Sequence, residues 1–464
     1  MKQFVNRDKE LSFLQEQYDS ESAAFVVLYG RRRVGKTTLI QEFVKNKPFL
    51  YFLASEEAEP LNMLAFTEQV AEYSQDALLA EARVDRWDVL FQTLAKHIGE
   101  RKLVLVLDEF QYLGKANPAF TSVFQRIWDT NLQEQNVMVI LCGSLVHMME
   151  AQALNYGSPL YGRRTGQIRL QQIDFQHYAE FFPGLSYRDR VEHYAVTGGV
   201  PKYIELFDKK ASLFSEIERQ ILRKQSLLFE EPVFLLQNEV SEVGSYFSII
   251  KSIAAGNRRL GKICVAMQVK ETSMPKYLKT LIDLDILERE VPVTESNPEK
   301  SKMGQYRIKD NFLSFWFRFV YPEKARLEMG DISYVMQKIK SNFIDSHVAS
   351  VYESVCRGEL WRLARQGRVN INKVGRWWNN REEIDIVGFD SSGDDIVFCE
   401  CKYVSQPMDI GTFYALLQKK ECVGWKKGSR KETFVLFSIS DFTDRLRELA
   451  ADRADLILFD CQKN

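Results

Sequence analysis

The stretch that decides the fold is Tyr29-Gly-Arg-Arg-Arg-Val-Gly-Lys-Thr-Thr38, which continues the apolar run Phe25-Val-Val-Leu-Tyr29. Its glycine spacing, followed by Lys36 and Thr37, is the pattern of a phosphate-binding loop between a strand and a helix. The glycines let backbone N–H groups turn toward phosphate oxygens, and the positive end of the following helix adds to that anion site. We expect Lys36 to reach the β- and γ-phosphates of ATP, and Thr37 to ligate Mg²⁺. The predicted nucleotide-binding residues of this loop are Gly30, Gly35, Lys36, Thr37 and Thr38.

Two further apolar runs supply the rest of a nucleotide site. Leu103-Val-Leu-Val-Leu107 ends in Asp108-Glu109. At the carboxyl end of a parallel strand, Asp108 can hold Mg²⁺ through water, and Glu109 is placed to act as general base toward the attacking water. Val137-Met-Val-Ile-Leu141 is followed closely by Ser144. Ser144 is predicted to bond the γ-phosphate or the water; the alternative is a small residue that closes a tight turn.

Length and composition bound the class of protein. The chain has 464 residues, 45% hydrophobic and 27% charged, with a formal net charge of −1, and its length predicts about three domains. Because there is no overall basic excess, any nucleic-acid surface must be a local patch. The sequence has no 18-residue apolar run and no apolar signal-peptide core at its start, so no membrane partner and a cytoplasmic location are expected. Seven scattered cysteines favour neither a zinc site nor a disulfide framework.

The order of patterns predicts an α/β chain with several domains. Apolar strands alternate with helical segments over residues 1–200, which indicates a P-loop ATPase domain with a mostly parallel, doubly covered sheet. Residues 201–240 are predicted as a helical lid and residues 241–325 as a winged-helix domain. Residues 326–464 are predicted as a C-terminal α/β domain.

The winged-helix prediction depends on three helical segments, Ser245–Ala255, Gly261–Val269 and Ser273–Ile282, followed by a two-stranded hairpin. Between the first and the last of the basic residues in this region, and up to Asp283, Glu271 is the only acid. Such a patch suits a phosphate backbone, so DNA is the predicted partner; a regulatory or protein-binding module is the alternative. The basic residues are Lys251, Arg258, Arg259, Lys262, Lys270, Lys276 and Lys279.

A second possible active site lies near the C-terminus. Alternation in Ile384-Asp-Ile-Val387 points Asp385 away from the isoleucines, and the strand Ile396–Lys402 puts Glu400 and Lys402 on one face. Acids that hold Mg²⁺ or Mn²⁺, beside a lysine that orients or deprotonates water or stabilises the transition state, suit phosphodiester hydrolysis. The alternative is an exposed hairpin with an ordinary Glu–Lys pair. The predicted metal ligands here are Asp385, Glu400 and, from a neighbouring helix, Glu353.

The residues quoted above resemble the archaeal-type ATPase family, a branch of the AAA-like and STAND P-loop ATPases. The resemblance also includes Phe4-Val-Asn-Arg-Asp-Lys-Glu-Leu11, Leu107-Asp-Glu-Phe-Gln111 and Gly198-Gly-Val-Pro201. It implies that Phe4–Arg7 lies near the adenine and that Pro201 contacts the nucleotide region.

The same resemblance implies an arginine finger in Tyr161-Gly-Arg-Arg-Thr165. Arg163 is preferred over Arg164, and either could instead anchor the following strand. The C-terminal part resembles the restriction-endonuclease-like PD-(D/E)xK domain often fused to these ATPases, with the motif written here as Asp385…Glu400-Cys-Lys402. Ile384 stands where that motif often has proline.

The sequence therefore predicts an ATP-binding and hydrolysing switch with a DNA-binding winged helix and a metal-dependent DNA nuclease domain. Its expected partners are ATP, DNA and further copies of the chain in a homo-oligomer. One alternative is a STAND-like regulatory ATPase whose C-terminal domain binds DNA or protein without cleaving it. Another is a chaperone-like ATPase that acts on proteins.

Overall fold

The computed structural model describes residues 4–461. The chain forms two compact units. The first ends at Ile173 and also includes Val200–Lys202, whereas the second takes Asp174–Gly199 and the chain from Tyr203 onward. The first break therefore precedes the boundary predicted at residue 200, because the two helices of residues 174–199 pack within the second unit. No helix among residues 4–461 combines the length and apolar character needed to cross a membrane.

The first unit contains a five-stranded, fully parallel sheet. Its strands are β1 (Ala24–Tyr29), β2 (Phe49–Leu53), β3 (Leu103–Asp108), β4 (Val137–Gly143) and β5 (Gly166–Arg169). They lie in the order β2-β3-β4-β1-β5. Strands β1, β3 and β4 are buried along their whole length, as expected of a parallel sheet covered on both faces. This confirms the predicted α/β class.

Eight helices accompany this sheet in the described part of the first unit. They are α1 (Asp8–Asp19), α2 (Lys36–Phe43), α3 (Glu59–Ser74), α4 (Ala77–Glu81), α5 (Trp87–Lys96), α6 (Gln111–Ala116), α7 (Phe120–Ile127) and α8 (Val146–Met149). Helix α2 begins directly after Gly35, whose φ of 99° lies in the left-handed region that glycine adopts without strain. A Cβ on Gly30 would lie 2.5 Å from the carbonyl oxygen of Leu170. Both loop glycines are thus required by the backbone.

The second unit begins with a run of helices that leads into a hairpin. The helices are α9 (Phe175–Phe181), α10 (Tyr187–Thr197), α11 (Pro201–Leu206), α12 (Leu213–Ile217), α13 (Glu231–Glu239), α14 (Val243–Ala254), α15 (Leu260–Met267) and α16 (Met274–Asp283). Strands β6 (Leu287–Glu290) and β7 (Gln305–Ile308) form the antiparallel hairpin. Helices α14 to α16 and this hairpin occupy the region for which a winged helix is predicted, and the winged-helix assignment stays a prediction.

Helices α17 (Asn311–Phe315), α18 (Lys324–Glu328), α19 (Ile332–Phe343) and α20 (Ala349–Arg365) then lead to a separate mixed sheet. Its strands are β8 (Lys373–Trp378), β9 (Glu383–Phe389), β10 (Asp395–Lys402), β11 (Lys431–Ser438) and β12 (Leu456–Asp460). They lie in the order β12-β11-β10-β9-β8, antiparallel from β8 to β10 and parallel from β10 to β12. Helices α21 (Ile410–Lys419) and α22 (Asp444–Ala451) complete this domain.

The loop between β6 and β7 reaches the outer strand of the C-terminal sheet. The N–H of Val293 donates to the carbonyl of Arg376 in β8 at 2.9 Å. A Cβ on the neighbouring Gly375 would lie only 3.1 Å from the Val293 Cβ. The absence of a side chain at Gly375 therefore permits this close approach.

Candidate functional sites

The phosphate-binding loop closes around its own lysine. Lys36 follows the loop as the first residue of α2, and only 7% of its surface is exposed. Its Nζ donates to the carbonyl oxygens of Gly30 at 2.8 Å and Arg31 at 3.0 Å. The ammonium group is thereby held inside the loop, where a phosphate group would compete for its protons.

Residues from the start of the chain and from Pro201 lie against the same loop. Arg7 donates from Nη2 to the carbonyl oxygens of Val34 at 3.1 Å and Gln171 at 2.7 Å. Cγ of Pro201 lies 4.0 Å from the position that a Cβ on Gly35 would take. The two segments singled out by the family resemblance therefore support the loop.

Tyr51 connects the two residues predicted to hold Mg²⁺. Its hydroxyl, on β2, donates to Oδ2 of Asp108 and is also hydrogen-bonded to Thr37. Burial raises the pKa of Tyr51 far above its ordinary value, and the hydrogen bond to Asp108 raises it further. The Tyr51 hydroxyl therefore stays protonated and keeps donating its hydrogen bond to Asp108. No sequence motif predicts this role.

Glu109, the predicted general base, is held by the end of β4. The Ser144 hydroxyl donates to its Oε1 at 3.0 Å and its Oε2 at 2.7 Å, and the Ser144 N–H donates at 3.2 Å. Gln111 also donates to this carboxylate. Glu109 has a φ of 52°, which is uncommon outside glycine and typical of functional positions. Ser144 thus contacts the base itself.

These contacts form one continuous set that fits ATP with Mg²⁺. Thr37, Tyr51, Asp108, Glu109 and Ser144 are linked in that order by hydrogen bonds, including one from the Glu109 N–H to Asp108 Oδ1 at 2.8 Å. Hard oxygen ligands and a buried lysine beside a glycine loop are the donors that a metal–triphosphate requires.

The two candidate arginine fingers are occupied by neighbours within the chain. Arg163 pairs with Asp129, with Nη2 and Oδ2 3.0 Å apart, and donates to the Pro159 carbonyl at 3.2 Å. Arg164 donates to the Tyr161 carbonyl at 3.0 Å. Both arginines anchor their own segment, and a role toward the nucleotide of another copy stays a prediction.

In the C-terminal domain, the structure brings Asp385 and Glu400 together. In the antiparallel register of β9 and β10, Ile386 pairs with Cys399. The next residues along the two strands, Asp385 and Glu400, therefore lie opposite each other. Oδ2 of Asp385 accepts from the N–H of Cys401 at 2.9 Å. Glu400 is 5% exposed. The predicted pair of acids is therefore a cross-strand neighbour pair, with Glu400 buried and Asp385 half-buried.

The charges of these acids act on each other. Burial raises the pKa of Asp385 to about 7, and the charges of Glu400 and Glu353 contribute. Glu353, on α20, faces Arg376, with Oε2 and Nε 3.7 Å apart. Within residues 4–461, no group of three His, Cys, Asp or Glu side chains is arranged to hold a metal ion. Asp385 and Glu400 are thus the close pair, and Glu353 acts on it through its charge.

Two lysines neutralise Glu400. Lys402 Nζ lies 2.9 Å from Oε1, and Lys419 Nζ, on α21, lies 3.1 Å from both carboxylate oxygens. Burial lowers the pKa of Lys402, but its hydrogen bond to Glu400 and that charge outweigh burial and raise the pKa above its ordinary value. A protonated Lys402 can orient water or stabilise negative charge, whereas proton abstraction is disfavoured. Lys419 could not be found from the motif.

Comparisons with known proteins give one family for the N-terminal part of the chain and another for a C-terminal part. A family described as an ATPase domain predominantly from Archaea matches residues 4–207, and one described as archaeal and bacterial proteins of unknown function matches residues 316–421. An uncharacterized protein of Methanocaldococcus jannaschii is 34% identical over 457 residues, which is 95% of this chain and 100% of that protein. An uncharacterized ATP-binding protein of the same organism is 54% identical over 44 residues, 10% of this chain and 75% of that protein.

A solved structure gives the fold of the larger part. A Walker-type ATPase of Pyrococcus abyssi matches with a TM-score of 0.51 and 18% identity, covering 68% of this chain and 96% of that one. At this identity the likeness concerns the fold alone. The sequence comparisons carry the relationship further: the chain belongs to the same family as the full-length Methanocaldococcus jannaschii relative, and its residues 4–207 are an ATPase domain of the type found predominantly in Archaea.

Proposed function

We propose that this chain is a Mg²⁺-dependent ATPase switch that binds DNA through residues 241–325 and cleaves it in its C-terminal domain. The observation that carries the cleavage half is the meeting of Asp385, Glu400 and Lys402 at the ends of two neighbouring strands. The ATPase half is supported by the hydrogen-bonded residues beside the phosphate-binding loop, which are Thr37, Tyr51, Asp108, Glu109 and Ser144.

In the ATPase domain, each residue has a distinct task. Lys36 would bind the β- and γ-phosphates, while Thr37 and Asp108 would hold the Mg²⁺ that neutralises their charge. Glu109 would take a proton from the attacking water, oriented by its hydrogen bonds to Ser144. Arg163 would reach the nucleotide of a neighbouring copy in a homo-oligomer, after leaving Asp129.

DNA binding is supported by the exposure of the basic residues in residues 241–325. Six of the seven predicted side chains are exposed; only Arg258 is half-buried. Lys276 and Lys279 lie on α16, the third predicted helix of this module. Exposed lysines placed along one module suit a phosphate backbone and predict binding that weakens with salt.

In the C-terminal domain, Asp385 and Glu400 would hold Mg²⁺ or Mn²⁺, which supplies charge neutralisation at the scissile phosphate. The raised pKa of Asp385 fits this role, since a nearby cation would favour the ionised carboxylate that Glu400 disfavours. Lys402 would orient the water or stabilise the developing charge.

The test is cleavage of plasmid and single-stranded DNA in Mg²⁺ or Mn²⁺, with and without ATP. We expect metal-dependent cutting that is lost in Glu400→Ala and Lys402→Ala. The matched control is Lys420→Ala, because the Lys420 ammonium pairs with Glu421 and Glu432 and has no contact with Glu400 in the described chain. Cutting that survives in Glu400→Ala would remove the nuclease from the proposal.

One observation favours a second candidate, a regulatory ATPase whose C-terminal domain binds DNA without cutting it. Both oxygens of Glu400 are already paired with lysine ammonium groups. Those ion pairs compete with a metal ion for the carboxylate. DNA binding by the intact chain, with no cutting under any metal condition, would select this candidate.

A further inference from the structure

The junction of the β6–β7 hairpin with the C-terminal domain contains a small cavity of about 30 Å³. Side chains from α14, β7, α17, α20 and β8 and from their connections meet there. Among its lining residues in the described chain there is no Asp or Glu, whereas Asn311, Ser314 and Ser350 add neutral hydrogen-bonding groups. Four arginines line this arginine cavity: Arg258, Arg307, Arg318 and Arg376.

Two of these arginines are fixed by acids that do not line the cavity. Arg307 Nε lies 2.7 Å from Glu288, and its Nη2 donates to Ser354 Oγ at 2.6 Å. Arg376 pairs with Glu383 and lies 3.7 Å from Glu353. These ion pairs hold both guanidinium groups in place from outside the cavity.

The other two arginines form no such ion pair within residues 4–461. In the described chain, the Arg258 guanidinium has no hydrogen bond or ion pair. Arg318 donates from Nη1 to the Ser346 carbonyl, and its buried Nε has no hydrogen-bond partner in residues 4–461. Burial lowers the pKa of Arg258, and the charges of Arg376 and Arg307 lower it further, against the opposing charges of Glu353 and Glu290. The cavity therefore concentrates positive charge without an acid in its wall.

We propose that the arginine cavity is a binding site for one phosphate group, carried by free phosphate or by a phosphodiester. The planar guanidinium fork matches phosphate oxygens, and an anion would pair the donors that Arg258 and Arg318 leave open. A water molecule needs about 10–15 Å³ of such space, so the cavity suits one small oxyanion with its ester groups directed to solvent. This site requires neither the ATPase nor the nuclease activity.

The test is calorimetric titration of the full chain with inorganic phosphate, with ADP and Mg²⁺ present to occupy the phosphate-binding loop. We expect Arg258→Ala to weaken phosphate binding at least tenfold. The matched control is Arg83→Ala, since Arg83 is an exposed arginine that lies outside residues 241–325 and does not line the cavity. Arg258→Lys keeps the positive charge but loses the planar guanidinium group, so we expect it to retain part of the affinity for phosphate. Equal phosphate affinity in Arg258→Ala and Arg83→Ala would overturn the site.

A second titration separates the two sources of phosphate. Fluorescence anisotropy measures binding of a short single-stranded DNA oligonucleotide to the same variants. If a phosphodiester occupies the cavity, Arg258→Ala weakens oligonucleotide binding and inorganic phosphate competes with the oligonucleotide in the unmodified chain. If only free phosphate binds, oligonucleotide affinity is equal in both variants while phosphate affinity still depends on Arg258. Insensitivity of both ligands to Arg258 would refute the proposal.

Discussion

The hydroxyl of Ser144 donates to both carboxylate oxygens of Glu109, at 3.0 and 2.7 Å. One residue lies after the end of β4 and the other after the end of β3, two neighbouring parallel strands. Because the serine N–H adds a third bond, the acid is fixed by hydroxyl and backbone together. The orientation of the proposed general base is thus set by the adjacent strand.

Replacement of Ser144 tests this relationship. We expect Ser144→Ala to lower kcat for ATP hydrolysis about tenfold, because a mispositioned base loses part of the rate that general base catalysis supplies. Nucleotide affinity should change little, since the phosphate loop is untouched. Steady-state hydrolysis and nucleotide titration measure the two quantities. Ser158→Ala is the control, because Ser158 bonds to Gln152. An unchanged kcat in Ser144→Ala would contradict the positioning role.

Tyr51→Phe should alter the Mg²⁺ dependence of ATP hydrolysis. The phenylalanine keeps the ring but removes the hydroxyl that joins Thr37 to Asp108. We expect a higher Mg²⁺ concentration for half-maximal rate, by about tenfold, for the loss of one hydrogen bond to a charged group. Tyr18→Phe is the control, since the Tyr18 hydroxyl donates to the carbonyl of Lys102 at 3.0 Å. Identical Mg²⁺ curves for both variants would exclude Tyr51 from the metal site.

Lys419→Ala should strengthen binding of Mn²⁺ to the C-terminal domain. Removing this ammonium releases Oε2 of Glu400, whereas Oε1 stays paired with Lys402, so the metal competes with one ion pair instead of two. The expected gain is about fivefold, the equivalent of roughly 1 kcal/mol for one partly exposed pair. Calorimetric Mn²⁺ titration compares the variant with Lys420→Ala. Weaker binding in Lys419→Ala would instead mean that the lysine helps to arrange the acids.

His347 makes stability depend on pH. It is fully buried, and burial lowers its pKa from 6.5 to about 4. Below pH 6.5 the unfolded chain binds a proton that the folded chain does not, so the free energy of unfolding falls as the pH drops toward 4. Near pH 4, the free energy of unfolding is lower by about 3 kcal/mol on account of this histidine.

The matching variant is His347→Gln, because glutamine retains an N–H donor toward the Ala195 carbonyl that Nε2 contacts at 2.7 Å. Urea unfolding at about pH 7.5 and at about pH 4.5 gives the difference for each protein. The variant should lose less stability than the unmodified chain. A loss of the same size in both would show that other groups carry this pH dependence.

The first sheet could be predicted because its central strands are continuous apolar runs. Strands β3 and β4 begin at the predicted residues, Leu103 and Val137, since buried parallel strands need no polar alternation. Strand β8 was not predicted. Its sequence, Lys373–Trp378, mixes charge, glycine and tryptophan, and it becomes a strand only by pairing with β9. On sequence grounds Trp377 and Trp378 suit stacking on DNA as well as packing; in the structure both are buried.

The residues of the candidate sites also divide into those that the sequence predicts and those that it does not. Lys36, Asp108 and Glu109 lie in local motifs, where the spacing along the chain implies the chemistry. Tyr51 and Lys419 do not, because their roles arise from long-range structure. Tyr51 contacts Asp108 because β2 is the neighbour of β3 in the sheet. Lys419 contacts Glu400 because α21 packs on β10. Strand order and helix packing depend on the whole fold, and no short pattern reports them.

The bond from Val293 to Arg376 also has a consequence for the behaviour of the protein in concentrated solution. Strand β8 is the outermost strand of its sheet, and an unpaired strand edge invites pairing with strands of other molecules and aggregation. The loop of the β6–β7 hairpin covers that edge, and Gly375 lets it lie close. A strand of another molecule would therefore have to displace the hairpin loop before it could pair with this part of β8.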